Sequence, residues 1–262
     1  MNKKISIIIP ARYNSTRLPG KPLLDICGHP MIWWVYKRCS VLKSIDKVIV
    51  ATDDDRVKIV CEQNNIPAII TSIDISTPND RAYKAAKTID SDYYIVVNGD
   101  EPLIPEDTIL SVVPNETEMS EEYFCSYAIT QIKDSAEVID YSNTKVVFNK
   151  NKEVMWISRS PIPYPKGKLN IPYYKMLGIA CFSKKSLFFY GETERSELEL
   201  IEEIDPYRFL ENGIKIHVRP CETNSVSVDT QKDLQHVRSI IKEQFGYEDC
   251  NLGSRSNRET NS

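Results

Sequence analysis

The sequence predicts an α/β fold with a mostly parallel sheet flanked by helices and a smaller β-rich part. Residues 5–10 read ISIIIP, and such an isoleucine-rich run is typical of a strand buried on both faces. Up to residue 112, such runs alternate with helical patterns, and this rhythm predicts a parallel, Rossmann-like sheet. After residue 124 the segments become shorter and richer in β-forming residues.

The first half of the chain is predicted as strands and helices in strict alternation. Acidic residues open the second helix, and the fourth strand ends abruptly at Asn98 and Gly99. Because ligands of such sheets lie beyond the carboxyl ends of the strands, we expect the site at this edge. The predicted strands are residues 5–10, 47–51, 68–70 and 93–97, and the predicted helices are residues 30–42, 54–64, 80–88 and 105–112.

The second half is predicted to be mixed. Prolines at residues 161–165 exclude a central strand, since proline lacks the ladder donor, and predict a rigid connector. Pro206 should kink or restart its helix. We expect one domain over residues 1–248 and a disordered tail over residues 249–262. The predicted strands are residues 124–132, 144–148, 154–157, 174–182 and 215–218, and the predicted helices are residues 197–211 and 231–245.

Composition excludes two classes of partner. The chain of 262 residues has 33 Lys and Arg against 37 Asp and Glu, and this net charge of −4 argues against a nucleic-acid binder. No apolar run reaches the roughly 18 residues that cross a bilayer. The apolar stretch at residues 5–9 is too short for a signal peptide. We therefore expect a cytoplasmic protein without a membrane partner.

A basic loop over residues 11–22 follows the first buried strand. Its backbone amides can hold phosphate oxygens, and its cations can neutralise a triphosphate. A solvated basic loop is the alternative, but the position at a strand end favours the phosphate site. The loop matches neither a Walker A motif nor a dinucleotide fingerprint. It carries three cations and two hydroxyls, namely Arg12, Ser15, Thr16, Arg17 and Lys21.

Two acidic positions are candidate metal ligands. Asp100 and Glu101 stand at the end of the fourth strand, where a carboxylate can hold Mg²⁺ on a nucleotide phosphate. A tight turn with both acids in water is the alternative. Asp229 precedes the last helix and could instead be its cap. With the basic loop, Asp100 and Asp229 would place two hard oxygen ligands near a triphosphate.

A series of motifs in this order resembles the CMP-KDO synthetases, the 3-deoxy-manno-octulosonate cytidylyltransferases. The resemblance covers about residues 4–242. Relatives that activate other sugars share the basic loop, so the later motifs indicate this branch. The motifs are IPAR at residues 9–12, RLPGKPL at 17–23, GHPMI at 28–32, ATD at 51–53, GDEPLI at 99–104, KVV at 145–147, SRSPIP at 158–163, LGI at 177–179, KI at 215–216 and VDT at 228–230.

The resemblance implies a nucleotidyltransferase of GT-A-like fold. The anomeric hydroxyl of an acidic 2-keto sugar, KDO or a KDO-like acid, would attack the α-phosphate of CTP. A CMP-sugar for bacterial surface polysaccharide, either lipopolysaccharide or capsule, and pyrophosphate would form. The resemblance also implies Mg²⁺ as cofactor and a homodimer joined through the β-rich segment at about residues 154–182.

Residue roles follow from the same resemblance. Lys21, Arg12 and Asp100 are expected to be catalytic, and Asp100 and Asp229 to bind Mg²⁺. Arg159 is expected to hold the substrate carboxylate, because its planar fork suits that group; a structural salt bridge is the alternative. The implied CTP contacts are Ala11, Arg12, Ser15, Thr16, Arg17, Lys21, Asn98 and Asp100, and the implied acceptor contacts are Arg159, Met176, Glu202 and Asp205.

The sequence departs from the family pattern around the base and the sugar. Residues 77–81 read TPNDR where relatives have SGT(E/D)R, and residues 205–208 read DPYR where EQLR is usual. Met176 replaces a histidine and Asn98 a glutamine. A thioether in place of an imidazole removes a polar contact, so we predict that KDO itself is a poor acceptor. Drift compensated by neighbouring groups is the alternative.

Two other functional classes fit parts of the pattern. A nucleotide-sugar glycosyltransferase could share the sheet and the acidic motif, but it would not need the basic loop. A non-catalytic nucleotide-binding protein need not keep Lys21, Asp100 and Asp229 together. Pyrophosphate release from CTP would exclude both.

Overall fold

The computed structural model describes residues 3–15, 17–167, 171–223 and 225–246. Within these residues a nine-stranded mixed sheet forms the centre of the protein, and β2 and β3 form a separate hairpin. The strands are β1 Ile5–Ala11, β2 Asp25–Ile26, β3 His29–Pro30, β4 Lys47–Thr52, β5 Ala68–Ile70, β6 Tyr93–Val97, β7 Cys125–Gln131, β8 Lys145–Phe148, β9 Val154–Ser158, β10 Tyr174–Ser183 and β11 His217–Pro220.

Helices cover the sheet, and short 3₁₀ turns occur at Lys21–Leu23 and Glu118–Ser120. No helix in the described part of the chain is long and apolar enough to span a membrane. The helices are α1 Met31–Ser40, α2 Asp55–Gln63, α3 Pro78–Ala86, α4 Glu106–Ser111, α5 Ser135–Ile139, α6 Lys184–Glu192, α7 Glu197–Glu202, α8 Tyr207–Leu210 and α9 Gln231–Phe245.

The predicted mostly parallel sheet is confirmed. The main strand order is β11-β7-β10-β6-β1-β4-β5, and β1 pairs in parallel with both β4 and β6. The long strand β10 is inserted antiparallel between β6 and β7, and β8 and β9 extend the sheet from it. The carboxyl ends of β1, β4 and β6 therefore meet at one edge, beside β10.

The first strand is buried on both faces, as its composition predicts. Ile7 and Ile9 pack with Val35 of α1 on one face of the sheet. Ile8 packs with Tyr94 on the other face, in the core beneath α3 and α6. Because β1 is packed between two hydrophobic cores, the first residues of the loop that follows it are held in place.

Several element boundaries differ from the predictions. Helix α3 begins at Pro78 because Thr77 caps it, with the Asp80 N–H donating to Thr77 Oγ1 at 3.0 Å. The predicted helix over residues 197–211 divides into α7 and α8, with Glu203 at a positive φ of 52° before Pro206. The predicted restart at this proline is confirmed.

Other differences arise from side-chain contacts. The predicted strand at 215–218 begins at His217, where pairing with Ser126 of β7 starts, and Lys215 instead forms an ion pair with Glu153 at 2.8 Å. Helices α5 and α6 were not predicted. Helix α6 begins where Ser183 accepts a hydrogen bond from the Ser186 N–H. The predicted tail at 249–262 lies outside the described residues.

Candidate active site

A cleft of about 270 Å³ opens at the carboxyl ends of β1 and β6, and we call it the basic cleft. The predicted nucleotide and metal residues converge on it from three parts of the chain. Of these predicted residues, Thr16 lies outside the described part of the chain. The predicted residues that line the cleft are Ala11, Arg12, Ser15, Arg17, Lys21, Asn98, Asp100 and Asp229.

The basic loop is held by the Asp53 side chain and by a hydrogen bond within its own backbone. The Tyr13 N–H donates to Asp53 Oδ1 at 3.0 Å, and the Tyr13 carbonyl accepts from the Gly20 N–H at 3.1 Å. Gly20 has φ 69°, a left-handed conformation that favours glycine. This turn places Lys21 at the start of the 3₁₀ turn, facing the strand ends.

Lys21 is at the centre of the cleft. Its Nζ donates to Asp100 Oδ2 at 2.9 Å and to Asp229 Oδ1 at 3.0 Å, and Arg17 donates to the same Asp229 oxygen at 3.1 Å. Burial by itself lowers the pKa of Lys21, but the two carboxylates outweigh burial and raise the pKa above its usual value. Lys21 therefore remains an ammonium at neutral pH.

Close backbone contacts bring the two carboxylates together. The Gly99 N–H donates to the Pro10 carbonyl at 3.2 Å, and a Cβ on Gly99 would lie 3.0 Å from that oxygen. The Val228 N–H donates to the Asp100 carbonyl at 2.9 Å and so places Asp229 beside Asp100. Val228 and Asp100 are far apart in the sequence, so no sequence pattern predicts this contact.

The alternative interpretations of the acids do not hold. Thr230, not Asp229, caps α9. Glu101 is 4% exposed and accepts a hydrogen bond from Ser225 Oγ at 3.0 Å, so the turn does not leave both acids in water. Burial and the neighbouring Asp100 raise the pKa of Glu101 to about 8. Asp100 Oδ1 is buried and has no hydrogen-bond partner among the described residues.

Sequence reasoning missed Arg81, a charged residue that lines the basic cleft. Arg81 is 3% exposed, and its Nη2 donates to Asp53 Oδ2 at 3.1 Å. Burial lowers the pKa of Arg81, and the nearby Arg12 adds to this effect. Both partners lie in motifs noted above, but the contact spans 28 positions and no periodic pattern relates them.

A second cleft of about 300 Å³ adjoins the first, and we call it the acidic cleft. Met176 and Asp205 line it, as does Glu203. Asn98 and Pro78 line both clefts and separate them. Among the described residues around the acidic cleft, none is Lys, Arg or His.

Asn98 is held at this boundary by a close approach of the backbone. The Asn98 N–H donates to the Gly178 carbonyl at 2.8 Å. A Cβ at position 178 would lie 2.7 Å from Asn98 Nδ2, so only glycine leaves room for this side chain. Strand β10 can therefore form one wall of the acidic cleft directly against the end of β6.

Two predicted acceptor residues, Arg159 and Glu202, are not among the residues that line either cleft. Arg159 donates to the carbonyl oxygens of Tyr141 and Glu203, each at 2.9 Å, and to that of Glu202. The Glu202 carboxylate accepts from Ser158 Oγ at 3.0 Å and from the Arg159 N–H at 2.6 Å. These contacts fix the turn behind the cleft, and the acceptor roles remain predictions.

Comparison with known proteins shows which family of enzymes the chain is similar to. The family model described as cytidylyltransferase matches residues 6–216. A 3-deoxy-manno-octulosonate cytidylyltransferase of Fusobacterium nucleatum is 39% identical over 237 residues, covering 90% of this chain and 96% of the relative. An 8-amino-3,8-dideoxy-manno-octulosonate cytidylyltransferase of Shewanella baltica is 35% identical, with 88% and 96% covered.

A solved structure extends the agreement to three dimensions. The structure of a CMP:2-keto-3-deoxy-manno-octonic acid synthetase complexed with CTP superimposes with a TM-score of 0.83 at 34% identity. It covers 92% of this chain and 99% of that one. An inositol-1-phosphate CTP transferase from T. maritima, at 14% identity and a TM-score of 0.60, shares the fold. The chain is a nucleotidyltransferase and belongs to the 3-deoxy-manno-octulosonate cytidylyltransferase family.

Proposed function

We propose that the protein couples CTP to KDO or a KDO-like 2-keto sugar acid and releases pyrophosphate. The observation that carries this proposal is the Lys21 ammonium between Asp100 and Asp229, in a cleft that Arg12 and Arg17 also line. Such a cluster suits a free triphosphate. The printed names of the relatives supply the nucleotide and the class of sugar.

The chemistry requires positioning and charge neutralisation. The sugar hydroxyl oxygen bonds to the α-phosphorus as the bond to pyrophosphate breaks, and no covalent enzyme intermediate is needed. Arg12 is exposed in the basic cleft, and Arg17, which is 55% exposed, is held among the described residues only by the Asp229 carboxylate, so both guanidinium groups lie where phosphate oxygens could bind. Lys21, held as an ammonium by two carboxylates, stabilises the charge that develops on the departing pyrophosphate.

The residues present fit a magnesium ion. Asp100 Oδ1 is buried without a partner among the described residues, and Asp229 supplies a second carboxylate beside it. Two carboxylates are a sufficient protein contribution for Mg²⁺, which retains water and phosphate ligands. Asp100 and Asp229 would hold the ion. When bound, it would neutralise phosphate charge and align the reacting groups.

The acidic cleft is the proposed acceptor site. It meets the basic cleft at Asn98 and Pro78, so a sugar within it could present its anomeric hydroxyl to a bound triphosphate. Met176 and Asp205 lie in its wall, where the sequence departs from the family pattern. The identity of the acceptor therefore depends on this wall rather than on the phosphate residues.

A pyrophosphate-release assay tests the proposal. Four nucleoside triphosphates are crossed with a panel of 2-keto sugar acids, including KDO, and we expect release with CTP and a KDO-type acid. Release with CTP and a different acid alone would support a cytidylyltransferase for another acceptor. Absence of release with every pair, together with sugar transfer from a CMP-sugar, would favour a glycosyltransferase and overturn the proposal.

We also propose a cytoplasmic homodimer that serves surface polysaccharide synthesis. Strand β9 pairs with β8 alone in the described residues, and its Met155 and Trp156 are 65% and 45% exposed. An apolar edge of this kind suits an interface within the 154–182 segment. Sedimentation should give a dimer, and Trp156→Lys should shift it towards monomer. A monomeric parent protein would contradict this assembly.

A further inference from the structure

Tyr13 contacts both arms of the basic loop. It directly follows Arg12, and its carbonyl accepts the hydrogen bond from the Gly20 N–H. Its ring lies against the same glycine, since a Cβ on Gly20 would lie 3.2 Å from Tyr13 Oη and 3.3 Å from Cζ. Because Gly20 directly precedes Lys21, one tyrosine fixes the arm that carries Arg12 relative to the arm that carries Lys21.

Arg56, in the first turn of α2, covers the ring of Tyr13. The guanidinium carbon lies 3.5 Å from the ring centroid, which is the distance of a close cation–π contact. The same guanidinium donates to Asp54 Oδ1 at 2.9 Å and to Asp54 Oδ2 at 2.7 Å. Asp54 is itself the N-cap of α2. The Tyr13 ring is therefore attached to a helix end outside its own loop.

Arg12 has no such support of its own. Its guanidinium forms no hydrogen bond or ion pair with the residues that the structure describes, and it is exposed in the basic cleft. The buried cation of Arg81 lies near enough to repel it. The point from which Arg12 extends into the cleft is therefore set by the backbone, and the contacts of Tyr13 hold that backbone.

We infer that Arg56 and Tyr13 form a clamp that holds Arg12 and Lys21 in the arrangement that receives the triphosphate. Both are positioning residues, since neither lines the basic or the acidic cleft. A loop that is ordered before the ligand arrives avoids an entropic cost on binding, so the clamp contributes to affinity for CTP. The inference rests on the proposed function and assigns it two further residues.

The affinity for CTP measures the contribution of Arg56. Kd for CTP in the presence of Mg²⁺ is measured by calorimetry, and KM by pyrophosphate release. Arg56→Ala should raise both constants by about threefold to fivefold, the scale of one exposed cation–π contact. We expect kcat and KM for the sugar acid to stay unchanged, because the reacting groups are the same once CTP is bound. A residue that only stabilised the fold would not produce this split.

Substitutions of Tyr13 test whether the ring is what Arg56 acts on. Tyr13→Leu removes the aromatic face and should raise Kd for CTP by about fivefold or more. Tyr13→Phe keeps the face and should retain the parent Kd. Arg56→Ala added to Tyr13→Leu should cause no further rise, because the two residues act through one contact. Circular dichroism checks that each variant is folded.

A matched control separates the contact from the general attraction of a cation for a triphosphate. Lys58 is a second cation of α2, with 38% of its side chain exposed, and it pairs with Glu62 on the same helix at 3.6 Å. Lys58→Ala should leave Kd for CTP unchanged. Equal rises in Lys58→Ala and Arg56→Ala would show an effect of overall charge and would overturn the inference.

Other results would also reject the clamp. An unchanged Kd in Arg56→Ala, or effects of Arg56→Ala and Tyr13→Leu that add in full, would overturn it while pyrophosphate release by the parent enzyme left the proposed function intact. A parent protein that binds CTP without releasing pyrophosphate would reject the proposed function, and the Kd values would still decide the role of the clamp. A parent protein that does not bind CTP would reject both.

Discussion

The basic and acidic clefts adjoin but differ in how their charges are arranged. In the basic cleft, the Lys21 ammonium is matched by Asp100 and Asp229, and these residues lie in motifs shared with the family. In the acidic cleft, Asp205 has no ion-pair partner among the described residues, and Met176 departs from the family pattern. This difference predicts that the basic cleft serves the phosphate chemistry and that the acidic cleft determines which acceptor is used.

If this division holds, variants in the basic cleft should slow turnover with every acceptor. Variants in the wall of the acidic cleft should change acceptor selection and leave CTP binding alone.

The largest effect is expected at the proposed metal ligands. Asp100→Asn and Asp229→Asn should each lower kcat by about a thousandfold with every acceptor, because amides are poorer Mg²⁺ ligands than carboxylates. Excess Mg²⁺ should restore part of the rate. Steady-state kinetics across a magnesium titration measure this. A variant with its full rate at ordinary Mg²⁺ would show that its carboxylate is not a ligand.

The next effect concerns the buried Arg208 guanidinium, which joins α8 to Asp80 of α3 and to Glu199 of α7. Arg208→Met removes the cation that pairs with Asp80 and the more buried of the two cations that pair with Glu199, and should lower the free energy of unfolding by about 3 kcal/mol. Urea denaturation at pH 7 measures this change. Arg195→Met is the matched control, since Arg195 also pairs with Glu199 but is 32% exposed, and it should lose less than about 1 kcal/mol. Equal losses would contradict the central role of Arg208.

Lys21 should affect turnover rather than stability. Lys21→Ala should lower kcat by about a hundredfold or more for KDO and for other acceptors alike, the scale of losing one electrostatic stabiliser. Arg17→Ala removes a more exposed cation from the same cluster and should have a smaller effect. Rapid-quench or coupled pyrophosphate assays compare the two. Near-normal turnover in Lys21→Ala would refute its catalytic role.

The smallest effect is expected at Met176. Met176→His restores the imidazole found in relatives and should raise kcat/KM for KDO by up to about tenfold, with KM for CTP unchanged. Ile59→His, on the exposed face of α2, serves as the control and should change neither constant. No change in acceptor selection would support compensated drift at this position.

The sequence predicts the basic cleft better than the acidic one, for a physical reason. Arg12, Lys21 and Asp100 follow buried parallel strands, and the carboxyl ends of such strands converge. Once these strands pair in parallel, the side chains that follow them lie at the same edge of the sheet. The pairing of Arg81 with Asp53 is set by packing between a helix and a strand end, which leaves no periodic signal.

The acidic cleft depends on the antiparallel insertion of β10 and on the break between α7 and α8. The proline break was predictable, but the position of Arg159 was not. Its guanidinium satisfies carbonyl oxygens of a turn that exists only after β9 and α7 have packed. The residue type shows that Arg159 could bind a carboxylate. The backbone carbonyl groups around it determine which partners it has in the folded protein.

The hydrogen bond from the Val228 N–H to the Asp100 carbonyl has a consequence for the biosynthesis of the enzyme. Asp229 lies beyond residues 6–216, the part of the chain that the family model matches. Helix α9 follows it and packs Val237 and Ile241 with Trp34, which secures the segment. A nascent chain that ends before α9 contains Asp229 but lacks the packing that secures its segment beside Asp100 and Lys21. If Asp229 has the proposed role, such a chain should not release pyrophosphate from CTP.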